Sequence, residues 1–186
     1  MLAYVFWHRP NASADAARYE EALSRFQRRL GDQQPPGFRG SASFRVASLP
    51  WLSGRGGYED WCLLDGSWAL DPLNAIAVSG PVTDAHDAAA TQMEEGHGGL
   101  YSLAWGEPSL PERSTVVWLT RPRNIQWRPV LDALREQAPQ STCWRRQMVL
   151  GPGREFALVV PPDRKVTAPA GWTELRIDRV RIGTEP

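Results

Sequence analysis

The sequence predicts an α+β protein built from two similar halves, residues 1–108 and 113–186, and three observations favour this fold class. The segment YVFWHRP (residues 4–10) is echoed by VVWLTRPR (116–123). An amphipathic helical stripe follows each segment. Each half then continues with two extended stretches and a closing strand, separated by Pro and Gly breaks. The order of elements therefore repeats along the chain.

The helical stripes have the same spacing in both halves. Apolar residues recur at i, i+4, i+7 and i+11, which places them on one face of a helix. In the first half they are Tyr19, Leu23, Phe26 and Leu30, and in the second half they are Trp127, Leu131, Leu134 and Ala138. We predict one core-facing helix after each of the two related strands.

The strand segments separate into apolar runs and mixed runs. YVFW, WCLL, VVWL and FALVV are apolar throughout, whereas FRVASL, WRRQMVL and ELRIDRVRI carry charges. Buried central strands are apolar, and edge strands alternate. This contrast predicts a 4-1-3-2 strand order in each half, with strands one and three central. In the last strand the apolar phase changes after Ile177, which predicts a bulge at Asp178 and Arg179.

The first half is predicted to have helices between its third and fourth strands. DPLNAIAVSG offers Asp71 as the N-cap and Gly80 as the stop, and TDAHDAAATQMEEGHGG is predicted as a helix capped by Thr83 or Asp84 and ended by Gly96. The second half has only DRKVTAPAG at this place, which is too short for a helix. The pattern is β-α-β-β-α-β, the ferredoxin-like arrangement, and the second half lacks its second helix.

Composition excludes several classes of protein. Lys plus Arg and Asp plus Glu both number 21 in 186 residues, so no basic surface for nucleic acid is expected. No apolar stretch is long enough to cross a membrane, and no signal-peptide pattern is present, so we predict a cytoplasmic protein without membrane partners. Cys62 and Cys143 have no metal-ligand spacing and are predicted to be reduced core thiols.

Two ferredoxin-like halves in one chain resemble the dimeric α+β-barrel superfamily, whose EthD-like and antibiotic-monooxygenase-like members reach this state by homodimerising. The resemblance implies two sheets that face each other within one chain as an intrachain α+β barrel. In many relatives such a barrel holds a small, often aromatic molecule. The relatives include cofactor-independent oxygenases, isomerases, haem enzymes and proteins without known chemistry, so the resemblance does not choose among these functions.

The predicted topology brings polar strand ends to one rim of the first half. Strand one runs antiparallel to strands three and four, so its C-terminal end lies beside their beginnings. The second half has Thr120 where the first has His8, with Arg121 at the corresponding rim, so any chemistry is expected to be asymmetric. The candidate residues of the rim are His8, Arg9, Trp51, Tyr58, Glu59, Asp60 and His97.

His8 is the candidate base of this site. Tyr4, Phe6 and His8 share one face of their strand, and a mixed aromatic and polar face suits a cavity wall, so we place His8 inside the barrel. Held by Glu59 or Asp60, it would act as a general base on an acidic phenol or enol. The residues predicted to bind and orient the substrate are Arg9, Trp51, Tyr58, His97, Trp118 and Arg121.

Two classes of function stay open at this point. One is an enzyme without an organic cofactor or metal, a cofactor-independent oxygenase or isomerase that binds an aromatic or polyketide-like molecule. The other is a non-catalytic ligand-binding or assembly protein whose barrel is filled by side chains such as Trp118. A metal site from His8, His97 and a carboxylate is disfavoured because no local ligand spacing supports it. His86 is predicted to lie on the surface, and Trp105 is a candidate to line a pocket for a flat ligand.

The missing helix of the second half predicts a partner. A sheet covered by one helix leaves an apolar patch around Leu158 and Val160, and such patches are usually buried by another chain. We therefore expect a homodimer through the second half. The alternative is that the helix at residues 83–95 crosses over to cover the patch within one chain.

Overall fold

The computed structural model describes residues 1–148 and 151–183. It confirms the α+β class, with eight strands and four helices in the described ranges. In chain order these are β1 (Leu2–Pro10), α1 (Ala16–Gln33), β2 (Phe38–Val46), β3 (Gly57–Leu64), α2 (Leu70–Ser79), α3 (Thr83–Ala90), β4 (Met93–Trp105), β5 (Arg113–Thr120), α4 (Arg128–Gln137), β6 (Thr142–Arg146), β7 (Phe156–Val160) and β8 (Thr173–Arg181).

The eight strands form one closed antiparallel barrel. Its order is β1-β3-β2-β8-β5-β7-β6-β4, with β4 returning to pair with β1. Strands β4, β1, β3 and β2 are therefore neighbours in that order, and so are β8, β5, β7 and β6. The ladders β2–β8 and β4–β6 join the two sets. Closure gives every strand two neighbours, although the β2–β8 ladder covers only Phe44–Val46 and Arg179–Arg181.

The helices pack on the outside of the barrel. Asp15 caps α1 by accepting a hydrogen bond from the backbone N–H of Arg18. Two predicted boundaries were wrong: α2 begins at Leu70, before its expected cap Asp71, and α3 ends at Ala90 rather than at Gly96. Residues 93–96 belong instead to β4, because their backbone pairs with the end of β1. Tertiary pairing here overrides the local helix pattern.

The interior of the barrel is filled by large aromatic side chains. Their rings lie 5.3–6.4 Å apart, mostly edge to face. The aromatic members of this core are Trp7, Phe44, Trp51, Trp61, Tyr101, Trp118 and Trp144. The space that the sequence assigned to a ligand is thus occupied by the protein's own indoles.

A buried ion pair lies within this aromatic core. Arg179 donates from Nη1 to Oε1 of Glu59 over 2.8 Å, and its Nε donates to the Ser114 hydroxyl over 2.8 Å. Glu59 also accepts from the indole nitrogens of Trp7 and Trp61, over 2.9 and 2.7 Å. Burial lowers the pKa of the Arg179 guanidinium, and the Glu59 charge opposes that shift.

The inward position of Arg179 removes the predicted bulge. The register between β5 and β8 runs without a shift from Thr173 to Val180. Ile177 and Arg179 both face the barrel, and Val180 points out with 40% of its surface exposed. The predicted bulge was wrong because Arg179 keeps the inward phase of Ile177 and pairs with Glu59 inside the barrel.

A loop covers the second half where the helix is missing. No helix occurs between β7 and β8, as the sequence predicts, but Val166 and Trp172 of the connecting segment pack on the outer face of the sheet. Leu158 and Val160 are fully buried beneath it. The premise for a homodimer, and for helix crossover, was therefore wrong. A homodimer remains a prediction, but an exposed apolar patch around Leu158 and Val160 no longer supports it.

Two further sequence predictions concern thiols and membranes. Cys62 and Cys143 are buried free thiols, as expected, and burial raises the pKa of each. In the described ranges, no helix has the length and apolar character needed to cross a bilayer.

Candidate functional site

The outer face of β1 and β3, beneath the helices, carries a cavity in the first half of the chain. His8 lies on this face and not inside the barrel, which corrects the face assigned from the sequence. Ala3, Val5 and Trp7 point into the barrel core, so alternation along β1 turns Tyr4, Phe6 and His8 outwards. In β5, by contrast, Trp118 points inwards as predicted.

The cavity has a volume of about 450 Å³ and lies between the sheet and helices α1–α3. Most of its wall is apolar or aromatic, and its polar groups are few. This composition is typical of small-molecule sites. The side chains that shape its floor and walls include Tyr4, Phe6, Leu23, Phe26, Leu30, Cys62, Leu73, Ala77 and Met93.

His8, Tyr19 and Asp60 form the polar end of the cavity. The Tyr19 hydroxyl lies 2.6 Å from Nδ1 of His8, and Oδ2 of Asp60 lies 3.3 Å from Nε2. The His8 ring is stacked between Phe6 and Tyr58, with centroids 5.3 and 5.6 Å away. It is 1% exposed, so its orientation is fixed by packing on both faces.

The tyrosines around this group are neutral at physiological pH. Burial raises the pKa of the Tyr19 phenol, and the charge of Asp60 raises it further. Burial likewise raises the pKa of Tyr4 to about 12, with Cys62 and Asp60 adding to the effect. A neutral Tyr19 can donate its O–H to Nδ1 of His8, and in that arrangement the ring proton of the imidazole lies on Nε2, facing Asp60.

Two glycines of β4 make room for the aromatic floor. Gly96 pairs with His8 and Gly98 pairs with Phe6 on the outer face of the sheet. A Cβ at Gly96 would lie 2.6 Å from Cζ of Phe6, and one at Gly98 would lie 3.0 Å from the Tyr4 ring. Any larger residue would displace these rings towards the cavity.

The other predicted residues do not converge on His8. Glu59, Trp51 and Trp118 belong to the barrel interior, on the opposite side of the sheet. The prediction that Glu59 holds His8 was therefore wrong, whereas Asp60 does contact it. Neighbouring residues on a strand face opposite sides, so Glu59 and Asp60 cannot serve one site.

Three predicted residues lie at rims with partners of their own, and a fourth touches His8. Arg9 and His97 both contact Glu95 at the barrel mouth, over 3.2 and 3.1 Å. Arg121 pairs with Glu155 in the second half at 2.9 Å. Tyr58 stacks on His8 and donates to Glu20 from α1, but it stands behind the imidazole and not on the cavity wall.

The residues present do not fit a haem or a metal centre. Both ring nitrogens of His8 face partners, Tyr19 and Asp60, so neither is available as an axial ligand. His86, the other histidine of the cavity wall, has Nδ1 directed at Asp87 over 3.0 Å. Within residues 1–148 and 151–183, no three His, Cys, Asp or Glu side chains are grouped to hold a metal ion.

Several residues of the cavity were missed from the sequence. Tyr19 was identified only as part of the apolar stripe, and Gln27 and His86 were placed on the helix surface or not considered. Tyr19 and Gln27 share a signal of position, because they lie about two turns apart on the face of α1 that meets the cavity. A polar residue on such a buried stripe indicates a site or a satisfied core group.

Comparisons with known proteins agree on the fold. No family model and no curated protein matches the sequence. A structure described as a "putative monooxygenase" from Fusobacterium nucleatum has a TM-score of 0.61 at 6% identity, covering 97% of this chain and 92% of its own. A monooxygenase of the same description from Lactobacillus acidophilus gives 0.58 at 9%, covering 97% and 93%. An anthrone oxidase-like protein gives 0.55 at 8%, covering 97% and 91%.

The chain shares the fold of these solved structures. At identities below 10% the similarity extends to the fold and not to the residues of a site, so function has to be argued from the cavity itself.

Proposed function

We propose that the cavity beneath helices α1–α3 binds a small, flat, largely apolar molecule that carries a hydroxyl group, such as a phenol or a polyketide-like enol. The observation that carries this proposal is that the polar and the apolar side chains occupy different parts of the cavity wall. The Tyr19–His8–Asp60 group lies at one end, and aromatic and aliphatic side chains form most of the remaining wall. A ligand with one polar edge and an apolar body matches this division.

Unpaired acceptors in the wall support a hydroxylated ligand. Oδ1 of Asp60 and Oε1 of Gln27 are buried, and neither has a hydrogen-bond donor among the described residues. Gln27 uses its amide nitrogen on Ser43, so its oxygen is left to the cavity. Buried acceptors without donors are costly, and ligand hydroxyls would relieve that cost.

His8 is the proposed base, and Tyr19 is the group that meets the substrate. When the ligand O–H or an activated C–H gives its proton to the Tyr19 oxygen, Tyr19 passes its own proton to Nδ1 of His8. The products of this step are a ligand anion, a neutral tyrosine and an imidazolium whose Nε2–H faces the Asp60 carboxylate. Asp60 thus orients the ring and stabilises its positive charge, as the acid does in other histidine-based relays.

The ligand anion has two chemical outcomes. An isomerase returns the proton to another carbon of the same molecule. An oxygenase lets dioxygen oxidise the anion: an anthrone would take up one O2, form the anthraquinone and release one water, which balances the atoms and the four electrons. The similarity to an anthrone oxidase-like fold makes anthrones the first compounds to test.

A non-catalytic binding protein is the second candidate function. The filled barrel favours it, because the interior space that relatives with a central ligand would need is occupied by tryptophans. In this case the hydrogen bond between Tyr19 and His8 holds α1 against β1, and the cavity binds a ligand without converting it.

Replacing His8 tests both candidates. We expect His8→Gln to lower the rate of anthrone-dependent O2 consumption about 10²–10⁴-fold, the usual contribution of a general base, because no group remains to take the proton. Ligand affinity should change less than the rate. None of the nine tryptophans lines the cavity, so calorimetry is the suitable binding assay.

His97→Gln is the matched control, because this histidine pairs with Trp7 and contacts Glu95 outside the cavity wall and should leave turnover unchanged. If no phenol, quinone or anthrone binds the wild type more tightly than His8→Ala, the cavity is not a site of this kind. Binding without turnover or O2 uptake would favour the non-catalytic function.

Filling the space at Gly96 gives an independent test of the cavity. We expect Gly96→Ala to push Phe6 towards the ligand and weaken binding about tenfold, since the added Cβ would lie 2.6 Å from the ring. Gly31→Ala is the control: this helical glycine of α1 has no atom within 4 Å of the new Cβ. Calorimetry should show unchanged affinity for that variant, and equal losses in both would argue against a cavity beside Phe6.

We also infer that the chain is a tandem duplication in which residues 1–108 and 113–186 correspond to the two subunits of a dimeric barrel. The identical strand order of the two four-strand sets supports this inference. So does the position of one long helix, α1 or α4, after the first strand of each set. The cavity with His8 belongs to the first unit alone.

A further inference from the structure

A groove between α4 and strands β4 and β6 has a different chemistry from the His8 cavity. It measures about 390 Å³, and its lining includes three arginines, Arg128, Arg135 and Arg145, against a single carboxylate, Asp132. Among the described residues, no carboxylate lies within 4 Å of these guanidinium groups. The groove is therefore electropositive.

Local structure explains how these cations come together. In β6, Trp144 faces the barrel, so alternation turns Cys143 and Arg145 outwards beneath α4. The guanidinium of Arg145 lies 4.6 Å from the centre of the Trp127 ring, and that of Arg128 lies 5.3 Å from it. The indole thus positions two cations at the start of α4, where the positive end of the helix dipole adds to their field.

Unpaired donors in the wall point to a ligand with acceptor atoms. Trp105 is one of the residues that line the groove, it is 9% exposed, and its Nε1–H has no acceptor among the described residues. Nε of Arg145 is likewise buried without an acceptor. Indole and guanidinium groups donate only, so they can be satisfied only by acceptor oxygens.

We propose that this groove binds a small organic anion through its carboxylate or phosphate oxygens. Arg145, Arg128 and the Trp105 N–H supply the donors, and Ala104 and Leu131 supply an apolar wall for the body of the ligand. The groove differs from the His8 cavity, whose unpaired atoms include the acceptors Asp60 Oδ1 and Gln27 Oε1. The two sites therefore select different molecules, and the anion site does not depend on the function proposed for the first.

Calorimetric titration with benzoate, benzamide and inorganic phosphate tests the proposal. We expect benzoate to bind the wild type with a Kd of about 1 mM or below, and benzamide, its neutral isostere, to bind at least tenfold more weakly. Binding should weaken as salt is raised, because an ion pair at a partly open site is screened. Phosphate binding as tight as that of benzoate would show that the charge alone is recognised.

Matched arginine variants locate the site. Arg145→Gln should weaken benzoate binding about tenfold or more, since a charge-assisted hydrogen bond is lost. Arg113→Gln removes the same charge from the first residue of β5, which is not part of the groove, and should leave benzoate binding unchanged. His8→Ala should also bind benzoate as tightly as the wild type. Melting temperatures verify that the variants are folded.

The proposal is overturned if benzoate shows no saturable binding or if benzamide binds equally well. It also fails if Arg113→Gln weakens binding as much as Arg145→Gln, because the effect would then reflect net charge. A loss of benzoate binding in His8→Ala would assign the anion to the other cavity.

Discussion

Replacing Arg179 by methionine is expected to lower the free energy of unfolding by about 3–5 kcal/mol near neutral pH. The change leaves the Glu59 carboxylate inside an aromatic barrel with its two indole donors but no cation. Arg179 and Glu59 are both fully buried, so solvent does not screen the lost interaction. Denaturant unfolding followed by circular dichroism measures the effect.

Glu59→Gln removes the anion of the pair instead of the cation. It leaves the fully buried guanidinium of Arg179 without its carboxylate partner, so this single variant is also expected to be less stable than the wild type.

The double variant Glu59→Gln/Arg179→Met should be more stable than either single variant, because no unpaired charge remains buried. Equal stability of Arg179→Met and wild type at neutral pH would show that the ion pair is absent in solution. A double variant as unstable as the sum of the single variants would show that the two residues do not interact.

Much of the fold could be predicted because it rests on patterns that burial imposes directly. The apolar run at residues 4–7 indicated a strand with neighbours on both sides, and β1 lies between β3 and β4. The stripe from Tyr19 to Leu30 identified α1, since only one face of that helix meets the sheet. Signals of this kind depend on composition and period, and a shift of one residue leaves them intact.

Composition and period do not show on which side of the sheet His8 lies. Side chains alternate along a strand, so an error of one residue in the alignment of the two strands reverses the side assigned. Aligning the two Arg-Pro pairs matched His8 with Thr120 and placed both inside. Aligning the tryptophans matches Trp7 with Trp118, and both do face the barrel interior. The second strand has one more residue between Trp and Arg, and a shift of one reverses every side chain.

The polar partners of the site were predictable only in part. Asp60 shares the outward phase of His8 across the β1–β3 ladder, so its contact follows from register. Arg179 could have been found from its phase with Leu175 and Ile177, but an inward arginine is credible only when a partner such as Glu59 faces it. The loop that covers Leu158 left no periodic signal, since Val166 and Trp172 lie in an irregular segment.

Truncating Trp118 should be the other large effect on stability, with a loss of about 3–5 kcal/mol in Trp118→Ala. The indole is fully buried at the centre of the barrel. Its ring lies 5.4–6.4 Å from those of Trp7, Trp51, Trp61 and Tyr101. These neighbours come from four different segments, so the space left by the indole cannot close by a small local movement. Trp68→Ala, at a site 59% exposed, is the control and should change stability by about 0.5 kcal/mol or less.

The same variant separates a packing role for Trp118 from the substrate-binding role that the sequence suggested. The His8 cavity lies on the other side of the sheet and has no atom of Trp118 in its wall. Ligand affinity of the folded Trp118→Ala protein should therefore stay within about twofold of wild type, since mutations without shared partners act independently. Calorimetry at a temperature well below the melting transition gives this affinity. A tenfold loss of binding in a fully folded variant would place the ligand in the barrel, because only there can the indole touch it.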